Sequence, residues 1–398
     1  MSTPLDLDLL SRRPDVEDPT LQAHDATDEL LVREGLVAAR ERGLTGADVV
    51  VVGERHGAIT LSLLAQGLHG MRVIQDRLVH ERALDANAAE VQLDPAGYRH
   101  LPAHPDSFAG ARLILWQLPR SVAAVERGAR MAAHAAPDAL LIAGGRIKHL
   151  SVGMNAPLAQ HFGQVQPQRA ERKSRLLLAQ HSAVAGPGAQ GNPAASGMPA
   201  PVHSTVNAGG RRLKLAALAE AFGGADLDPG TALMLRTLDQ SDWQLPPGEA
   251  ALATPLVVDL GCGNGTIACW AALTWPQAHI EATDDSADAV ASAELSAALN
   301  GVQDRVSVVR ADGGDHLPDG AAELVLLNPP FHQGGTVHTG IASKLIRSAA
   351  RMLRPGGTLV CVWNSHLRYR PRLERLVGPT QQLARDKTFT LTVSTRRG

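Results

Sequence analysis

The stretch TPLVVDLGCGNGTIACWA, residues 254–271, decides the fold, and a related stretch occurs earlier in the chain. It runs from an apolar segment into a loop with glycine at every second position, and then into a second apolar segment. Residues 47–64, ADVVVVGERHGAITLSLL, repeat this plan, with Gly53 over Gly261 and Gly57 over Gly265. A buried strand, a glycine turn and a helix start are typical of the first βα unit of a parallel sheet. The chain therefore carries this unit twice.

The correspondence between the two halves continues beyond the glycine loops. Asp76 of RVIQDR lies over Asp284 of IEATDD, and RLILWQLPR (112–120) lies over ELVLLNPPF (323–331). Strands that alternate with helical patterns predict doubly wound parallel sheets. We therefore predict an α/β protein of two tandem Rossmann-like domains.

The boundary between the predicted domains lies in a segment without apolar periodicity. Residues 183–204, AVAGPGAQGNPAASGMPAPVHS, are rich in Gly, Pro, Ala and Ser, which is typical of a linker or surface loop. The prediction is a first domain at 1–182 and a second at 205–398.

The two halves differ at the positions where chemistry would take place. The first half has Val51 where the second has the strand-end acid Asp259, and Arg55 where the second has the loop glycine Gly263. Two residues of NPPF are also replaced, Pro329 by Leu118 and Phe331 by Arg120. The first half keeps the fold pattern and loses the site, so we interpret it as a degenerate, non-catalytic domain.

The glycine loop of the second half predicts a nucleoside site. A dinucleotide fingerprint needs a glycine at 266, where Thr266 stands, so the loop fits a nucleoside that bears no phosphate. Asp284 follows Asp259 at the spacing of a carboxylate that accepts both ribose hydroxyls, and Asp312 ends the next strand, where it can accept from an adenine amino group. The predicted cofactor residues are Asp259, Gly261, Gly263, Gly265, Asp284 and Asp312.

The stretch LLNPPFHQGG, residues 326–335, ends a buried strand abruptly. Proline cannot donate to a strand ladder and forces an extended residue before it. The strand is therefore predicted to expose the amide of Asn328 and the ring of Phe331 at its carboxyl end.

Together these motifs resemble the class I S-adenosylmethionine-dependent methyltransferases. DLGCGNG looks like their methionine-binding loop, and NPPF looks like the motif of those that methylate an exocyclic or amide nitrogen. The resemblance implies S-adenosylmethionine as the cofactor. It also implies that Asn328 and the Pro329 carbonyl accept hydrogen bonds from the target NH2, and that Phe331 stacks on a flipped base.

Nearly the whole chain resembles the bacterial ribosomal RNA guanine-N2 methyltransferases. The resemblance includes DPTLQAHDATDELLV, LPRSVAAVE, LLIAGGRIKHL, NPPFHQG and VWNSHLRYRPRLERLVG. The HL-Y arrangement at 366–369 and VVDLGCGNG resemble the large-subunit (23S) enzyme more than its small-subunit (16S) relative. The loop LAEAFGGADLDPG (218–230) keeps Asp228 and Gly230 of the family pattern and departs from it at Leu218 and Gly223. Three alternatives stay open: a release-factor glutamine methyltransferase, an adenine-N6 methyltransferase, and an RNA-binding protein with a vestigial fold.

Charge is segregated along a chain whose net charge is only −2. Residues 140–176 carry a local charge of +5, and residues 361–398 one of +6. Segregation of this kind permits a basic RNA-binding surface on a neutral protein. The predicted RNA contacts are Arg146, Lys148, Arg172, Lys173 and Arg175, and a purely solvated face is the competing interpretation.

The remaining features predict a cytoplasmic protein. No apolar run approaches the length of a membrane span, and the acidic start is not typical of a signal peptide. The cysteines, Cys262, Cys269 and Cys361, form no CxxC pair and have no metal partner at a usable spacing, so neither a disulfide nor a metal site is predicted. The oligomeric state stays open, with a monomer favoured.

Overall fold

The fold is that of a computed structural model, which describes residues 4–150, 152–182, 197–198, 200–218, 221, 224–241, 243–245, 254–330 and 339–398. The chain divides into two compact units, residues 1–200 and 201–398, called here the N-terminal unit and the C-terminal unit. In the described part of the chain, no helix is long and apolar enough to cross a membrane.

The N-terminal unit is built on one mixed sheet whose spatial order is β3-β2-β1-β4-β5-β7-β6. The strands are β1 Val49–Val52, β2 Met71–Ile74, β3 Tyr98–Leu101, β4 Leu113–Gln117, β5 Leu140–Arg146, β6 Phe162–Pro167 and β7 Ser174–Ser182. Strands β1 to β5 are parallel, and β7 is antiparallel to both of its neighbours. The helices are α1 Ala26–Glu41, α2 Ala58–Ala65, α3 Leu78–Glu90, α4 Val122–Ala135 and α5 Asn155–His161.

The C-terminal unit repeats that sheet in the order β12-β11-β10-β13-β14-β16-β15. Its strands are β10 Leu256–Leu260, β11 His279–Asp284, β12 Val306–Arg310, β13 Ala322–Leu327, β14 Leu353–Asn364, β15 Thr380–Arg385 and β16 Phe389–Thr395. A hairpin of β8 Val202–Ala208 and β9 Arg211–Ala217 precedes it. The helices are α6 Pro229–Gln240, α7 Thr266–Thr274, α8 Ala287–Leu299, α9 Thr339–Met352 and α10 Arg370–Leu376.

The two sheets share their register as well as their strand order. Val51 pairs with Leu115 in the N-terminal unit, and Asp259, which the sequence aligns with Val51, pairs with Leu326 in the C-terminal unit. Strands β1 and β10 are buried and apolar apart from Asp259, as expected for central strands covered on both faces. The prediction of two tandem doubly wound domains is confirmed.

The predicted linker, residues 183–204, lies mostly outside the described residues. Its last three residues belong to β8, so the hairpin begins earlier than the sequence indicated. The backbone N–H groups of Ala216 and Leu218 donate to Ser296 Oγ and Ser292 Oγ on α8, at 3.0 and 2.9 Å. Strand β9 of the hairpin and the residue that follows it are therefore held against helix α8 by hydrogen bonds.

Candidate active site

The predicted site residues of the C-terminal unit lie at the carboxyl ends of adjacent parallel strands. Strand β10 pairs with β11 on one side and with β13 on the other, and the chain reverses its winding direction between β10 and β13. Open α/β sheets bind ligands in the crevice at such a switch point. The sheet therefore brings the glycine loop, Asp284, Asp312 and Asn328 to one edge.

The glycine loop that follows β10 needs its glycines for conformation and for space. Gly261, Gly263 and Gly265 have φ of 80°, 53° and 77°, in the left-handed region that favours glycine. A Cβ on Gly265 would lie 2.9 Å from Ala293 Cα, so this glycine lets α7 start against α8. A Cβ on Gly261 would face open space, which leaves the backbone accessible to a ligand.

Asp259 is turned away from solvent and holds the start of helix α7. It is buried, its Oδ2 accepts from Ala268 N–H at 2.9 Å, and its Oδ1 is buried without a partner among the described residues. Burial, followed by the nearby charge of Asp284, raises the pKa of Asp259 to about 7. The contacts indicate that Asp259 shapes the loop from behind rather than facing the crevice.

Asp284 links the second strand to the glycine loop. Its Oδ2 accepts from Gly263 N–H and its Oδ1 from Ser286 N–H, each at 3.0 Å. A carboxylate oxygen can accept more than one hydrogen bond, so these two contacts are compatible with a ligand that also donates to Asp284. The side chain is half-buried at the end of β11, where a diol can reach it.

Asp312 stands next to a lysine that the sequence analysis missed. Lys344 Nζ on α9 lies 2.6 Å from Asp312 Oδ2. This ion pair fixes one oxygen of the carboxylate. The two residues are 32 positions apart, and no local motif connects them.

Asn328 has the most informative contacts in the site. Its Nδ2 donates to Asp228 Oδ1 at 2.7 Å and to Thr231 Oγ1 at 3.0 Å, while its Oδ1 is buried and has no partner among the residues described. A buried acceptor without a partner costs about 1–3 kcal/mol. The amide is therefore arranged to accept from a group that the described residues do not provide.

Asp228 and Asn264 hold the segments on either side of the site. Asp228 Oδ1 also accepts from Thr231 N–H at 2.9 Å, so one oxygen caps α6 and anchors the amide. Asn264 holds the preceding loop over the glycines, because its Nδ2 donates to Gly224 O at 2.8 Å and its Oδ1 accepts from Thr266 Oγ1 at 2.6 Å. Pro329 is buried, and Phe331 lies outside the described residues.

The residue of the N-terminal unit that aligns with Asn264 is held by the segment that precedes the sheet. His56, which aligns with Asn264, is buried; its Nδ1 lies 2.8 Å from Ala23 O and its Nε2 lies 3.2 Å from Asp15 Oδ2. Arg12 binds the same Asp15 oxygen at 2.7 Å. Asp15, His56 and His80 stand close enough for a metal ion, yet Arg12 already occupies that carboxylate oxygen.

The predicted RNA-contact residues of the N-terminal unit do not share one environment. Arg172 forms an ion pair with Glu29 through both of its terminal nitrogens, and the adjacent Glu171 pairs with Arg33 at 2.9 Å. By contrast, within the described ranges, four of the predicted residues form no ion pair: Arg146, Lys148, Lys173 and Arg175.

Comparison with known proteins identifies both halves of the chain. The family described as "Methyltransferase small domain" matches residues 212–393, and the one described as "RLMG N-terminal domain" matches residues 2–183. Among solved structures, the T. thermophilus 16S rRNA N2 methyltransferase RsmC, in complex with AdoMet and guanosine, has a TM-score of 0.74. It covers 100% of this chain and 98% of that chain at 22% identity, a likeness that shows the shared fold.

Curated relatives extend over almost the whole chain. The Shewanella amazonensis protein named "Ribosomal RNA large subunit methyltransferase G" is 32% identical over 98% of this chain and 96% of its own length. The Pseudomonas putida protein of that name is 33% identical over 98% of both chains. The tandem methyltransferase fold and the predicted family resemblance are thereby confirmed, and the chain belongs to the family of the ribosomal RNA large subunit methyltransferase G proteins.

Proposed function

We propose that the protein transfers the methyl group of S-adenosylmethionine to the exocyclic N2 of a guanine in ribosomal RNA, with large-subunit (23S) RNA as its substrate. The names of the curated relatives support the RNA class. The observation that carries the proposal is the buried Asn328 Oδ1, which has no partner among the described residues, beside an Nδ2 held by two acceptors. Such an oxygen fits an amino group that brings hydrogens to it.

The glycine loop and the two acids next to it fit the nucleoside part of the cofactor. Gly261 faces open space, and the backbone of Gly263 and Gly265 continues the turn around it. Asp284 has acceptor capacity for the ribose hydroxyls, and Asp312 has its second oxygen for an adenine amino group. When bound, S-adenosylmethionine supplies a methyl group on a sulfonium, which is electrophilic without activation by the protein.

The acceptor side of the site orients a weak nucleophile. The lone pair of an exocyclic guanine amine is conjugated with the ring and points poorly toward an electrophile. Hydrogen bonds from that amine to Asn328 Oδ1 and to the Pro329 carbonyl would hold its nitrogen with the lone pair directed at the methyl group. Phe331, by its resemblance to the family motif, would stack on the flipped base.

The two units would have different roles. Residues 205–398 would carry catalysis, and residues 1–182 would support folding and hold RNA, joined by the linker at 183–204. The N-terminal unit has Arg55 in place of a loop glycine, and its His56, which aligns with Asn264, contacts Asp15. These differences support a single cofactor site per chain. The protein would act in the cytoplasm, where its RNA substrate is made.

The test is to identify the methylated product. The protein is incubated with methyl-labelled S-adenosylmethionine and, separately, with 23S and 16S ribosomal RNA, and the nucleosides are identified by mass spectrometry. N2-methylguanosine in 23S RNA is the expected result. Methyladenosine in RNA, or methylglutamine in a release factor, would contradict the proposal, and methylguanosine in 16S RNA alone would contradict its choice of subunit.

A further inference from the structure

The carboxyl edge of the sheet in the N-terminal unit carries a group of cations on three neighbouring loops. Arg55 follows β1, Arg120 follows β4, and Lys148 and His149 follow β5. Strands β1, β4 and β5 are adjacent and parallel, so their carboxyl ends meet. Arg55, Arg120 and Lys148 are all exposed. We call Arg55, Arg120, Lys148 and His149 the switch-point cations, because β1 and β4 flank the point where the winding of this sheet reverses.

Acidic side chains nearby do not neutralise the switch-point cations. Within the described ranges, Arg55, Arg120 and Lys148 form no ion pair. Glu54, next to Arg55, is buried and accepts from the backbone N–H groups of Ile59 and Thr60. Burial, followed by the charge of Asp25, raises the pKa of Asp28 to about 8.

The titration of the cations themselves reflects a positive local potential. Burial, followed by the charges of Arg120, Lys148 and Arg55, lowers the pKa of His149. Burial, followed by the charge of Arg55, lowers the pKa of Arg120. Like charges held together in this way repel one another, and a bound anion would relieve the repulsion.

The duplication shows which residues stand at the equivalent positions of the other half. Arg55 stands over Gly263 of the glycine loop in the C-terminal unit, and Arg120 stands over Phe331 of NPPF. At the switch point of the first sheet, arginine therefore stands at both the position of the loop glycine and the position of the aromatic residue. Two arginines on neighbouring loops, at positions that are uncharged in the other half, favour a ligand of negative charge.

We propose that Arg55 and Arg120 bind consecutive phosphates of the RNA backbone at the carboxyl edge of the first sheet, with Lys148 and His149 beside them. The inference rests on the proposed function, which makes RNA the substrate. Cations spread along three exposed loops match a chain of phosphates, and arginine can bind each phosphate through two parallel N–H donors. Arg172, which the sequence analysis predicted as an RNA contact, is less suited to this role, because its guanidinium already forms an ion pair with Glu29.

The experiment measures RNA binding by the full-length protein as a function of salt. The variants are R55Q, R120Q and the double variant, assayed by fluorescence anisotropy with a labelled fragment of 23S RNA. The control for position is R112Q, because Arg112 precedes the same strand β4 at its opposite end, is 56% exposed and lies 3.9 Å from Asp48 Oδ1, which already neutralises it. Thermal unfolding of each variant checks that it is folded. If the double variant does not fold, the two single variants are compared with the wild type instead.

The logarithm of the RNA-binding constant is plotted against the logarithm of the salt concentration. We expect the magnitude of the slope to decrease by about 0.7–0.9 for each arginine removed. The Michaelis constant for RNA should rise, while the dissociation constant for S-adenosylmethionine and the behaviour of R112Q stay as in the wild type. An unchanged slope in both single variants and the double variant, or an equal fall in R112Q, would overturn the proposal.

A small phosphate-bearing ligand is the other source of the same chemistry. Wild type and R120Q are therefore melted with inorganic phosphate or guanosine monophosphate in millimolar amounts. Stabilisation of the wild type alone, together with an unchanged RNA salt slope, would overturn the RNA assignment. Failure of the proposed function is distinguishable, because it appears as absence of N2-methylguanosine from the wild-type product and leaves the salt slopes readable.

Discussion

The orientation of the Asn328 amide is predicted to depend on Asp228, and Asp228→Ala tests this directly. The Asn328 amide can present either its oxygen or its NH2 to the target amine, and only the oxygen can accept. Thr231 Oγ1 does not discriminate, since a hydroxyl both donates and accepts. The Asp228 carboxylate only accepts, so its 2.7 Å contact with Nδ2 fixes the amide with the oxygen toward the substrate.

The size of the effect follows from the strength of this contact. A hydrogen bond to a charged group contributes about 1.5–3 kcal/mol. If the Asp228→Ala variant loses this amount in the transition state, kcat falls by about 10- to 150-fold. The variant also loses the cap of helix α6, which costs about 0.5–2 kcal/mol of stability.

The assay compares kcat for RNA methylation with calorimetric binding of S-adenosylmethionine. Asp228→Ala should lower kcat and leave cofactor affinity unchanged. Asp228→Asn keeps an oxygen that accepts from both Thr231 N–H and Asn328 Nδ2, so its loss should be smaller. Thr231→Val removes the 3.0 Å contact alone and should cost less than Asp228→Ala.

A loss of helix capping by itself must be separated from the loss of orientation. Ser121 caps α4 in the N-terminal unit through its contact with Ala124 N–H, so Ser121→Ala removes a cap without touching Asn328. This control should lower stability and leave kcat unchanged. Wild-type kcat in Asp228→Ala, or a loss of cofactor binding equal to the loss of kcat, would refute the reasoning.

Four other predictions follow from the candidate site. Asn328→Ala should bind S-adenosylmethionine normally and lose about 100- to 1,000-fold in kcat, because its oxygen holds the nucleophile; near-normal turnover would contradict this role. Asp284→Ala should weaken cofactor binding in calorimetry, since it releases Gly263 N–H as well as the ribose, and unchanged affinity would exclude the contact. The full chain should bind one S-adenosylmethionine, and saturable binding of two would show that the first crevice is functional. Folding raises the pKa of Asp259 to about 7, so the folded state favours the protonated carboxyl. The free energy of unfolding of the wild type, relative to that of Asp259→Asn, should therefore be highest below about pH 4. It should fall by on the order of 4 kcal/mol as the pH rises through 7. Urea unfolding at pH 5 and pH 8 tests this, and an equal difference between the two proteins at both values would contradict it.

Much of the candidate site was predictable because its motifs are local. The glycines at 261, 263 and 265 follow a strand within a few residues, and their positive φ values are what such a turn requires. The spacing between Asp259 and Asp284 is set by one helix and one strand, whose lengths vary little in this fold. By contrast, the sequence analysis placed both Asp259 and Asp284 among the predicted cofactor residues, whereas the Asp259 carboxylate contacts α7 and the Asp284 carboxylate contacts the glycine loop.

The sequence by itself determined the duplication, the two doubly wound sheets, and the edge at which the site lies. These follow from hydrophobic periodicity and from the glycines, which act on neighbouring residues. Only the tertiary structure decided how Asn328 is oriented, since Asp228 is 100 residues away along the chain. The tertiary structure also decided which cations are free, because Arg172 and Glu29 meet across 143 residues while Arg55 and Arg120 meet no acid in the described ranges. Pairing between distant side chains depends on how whole elements pack, and no local pattern encodes it.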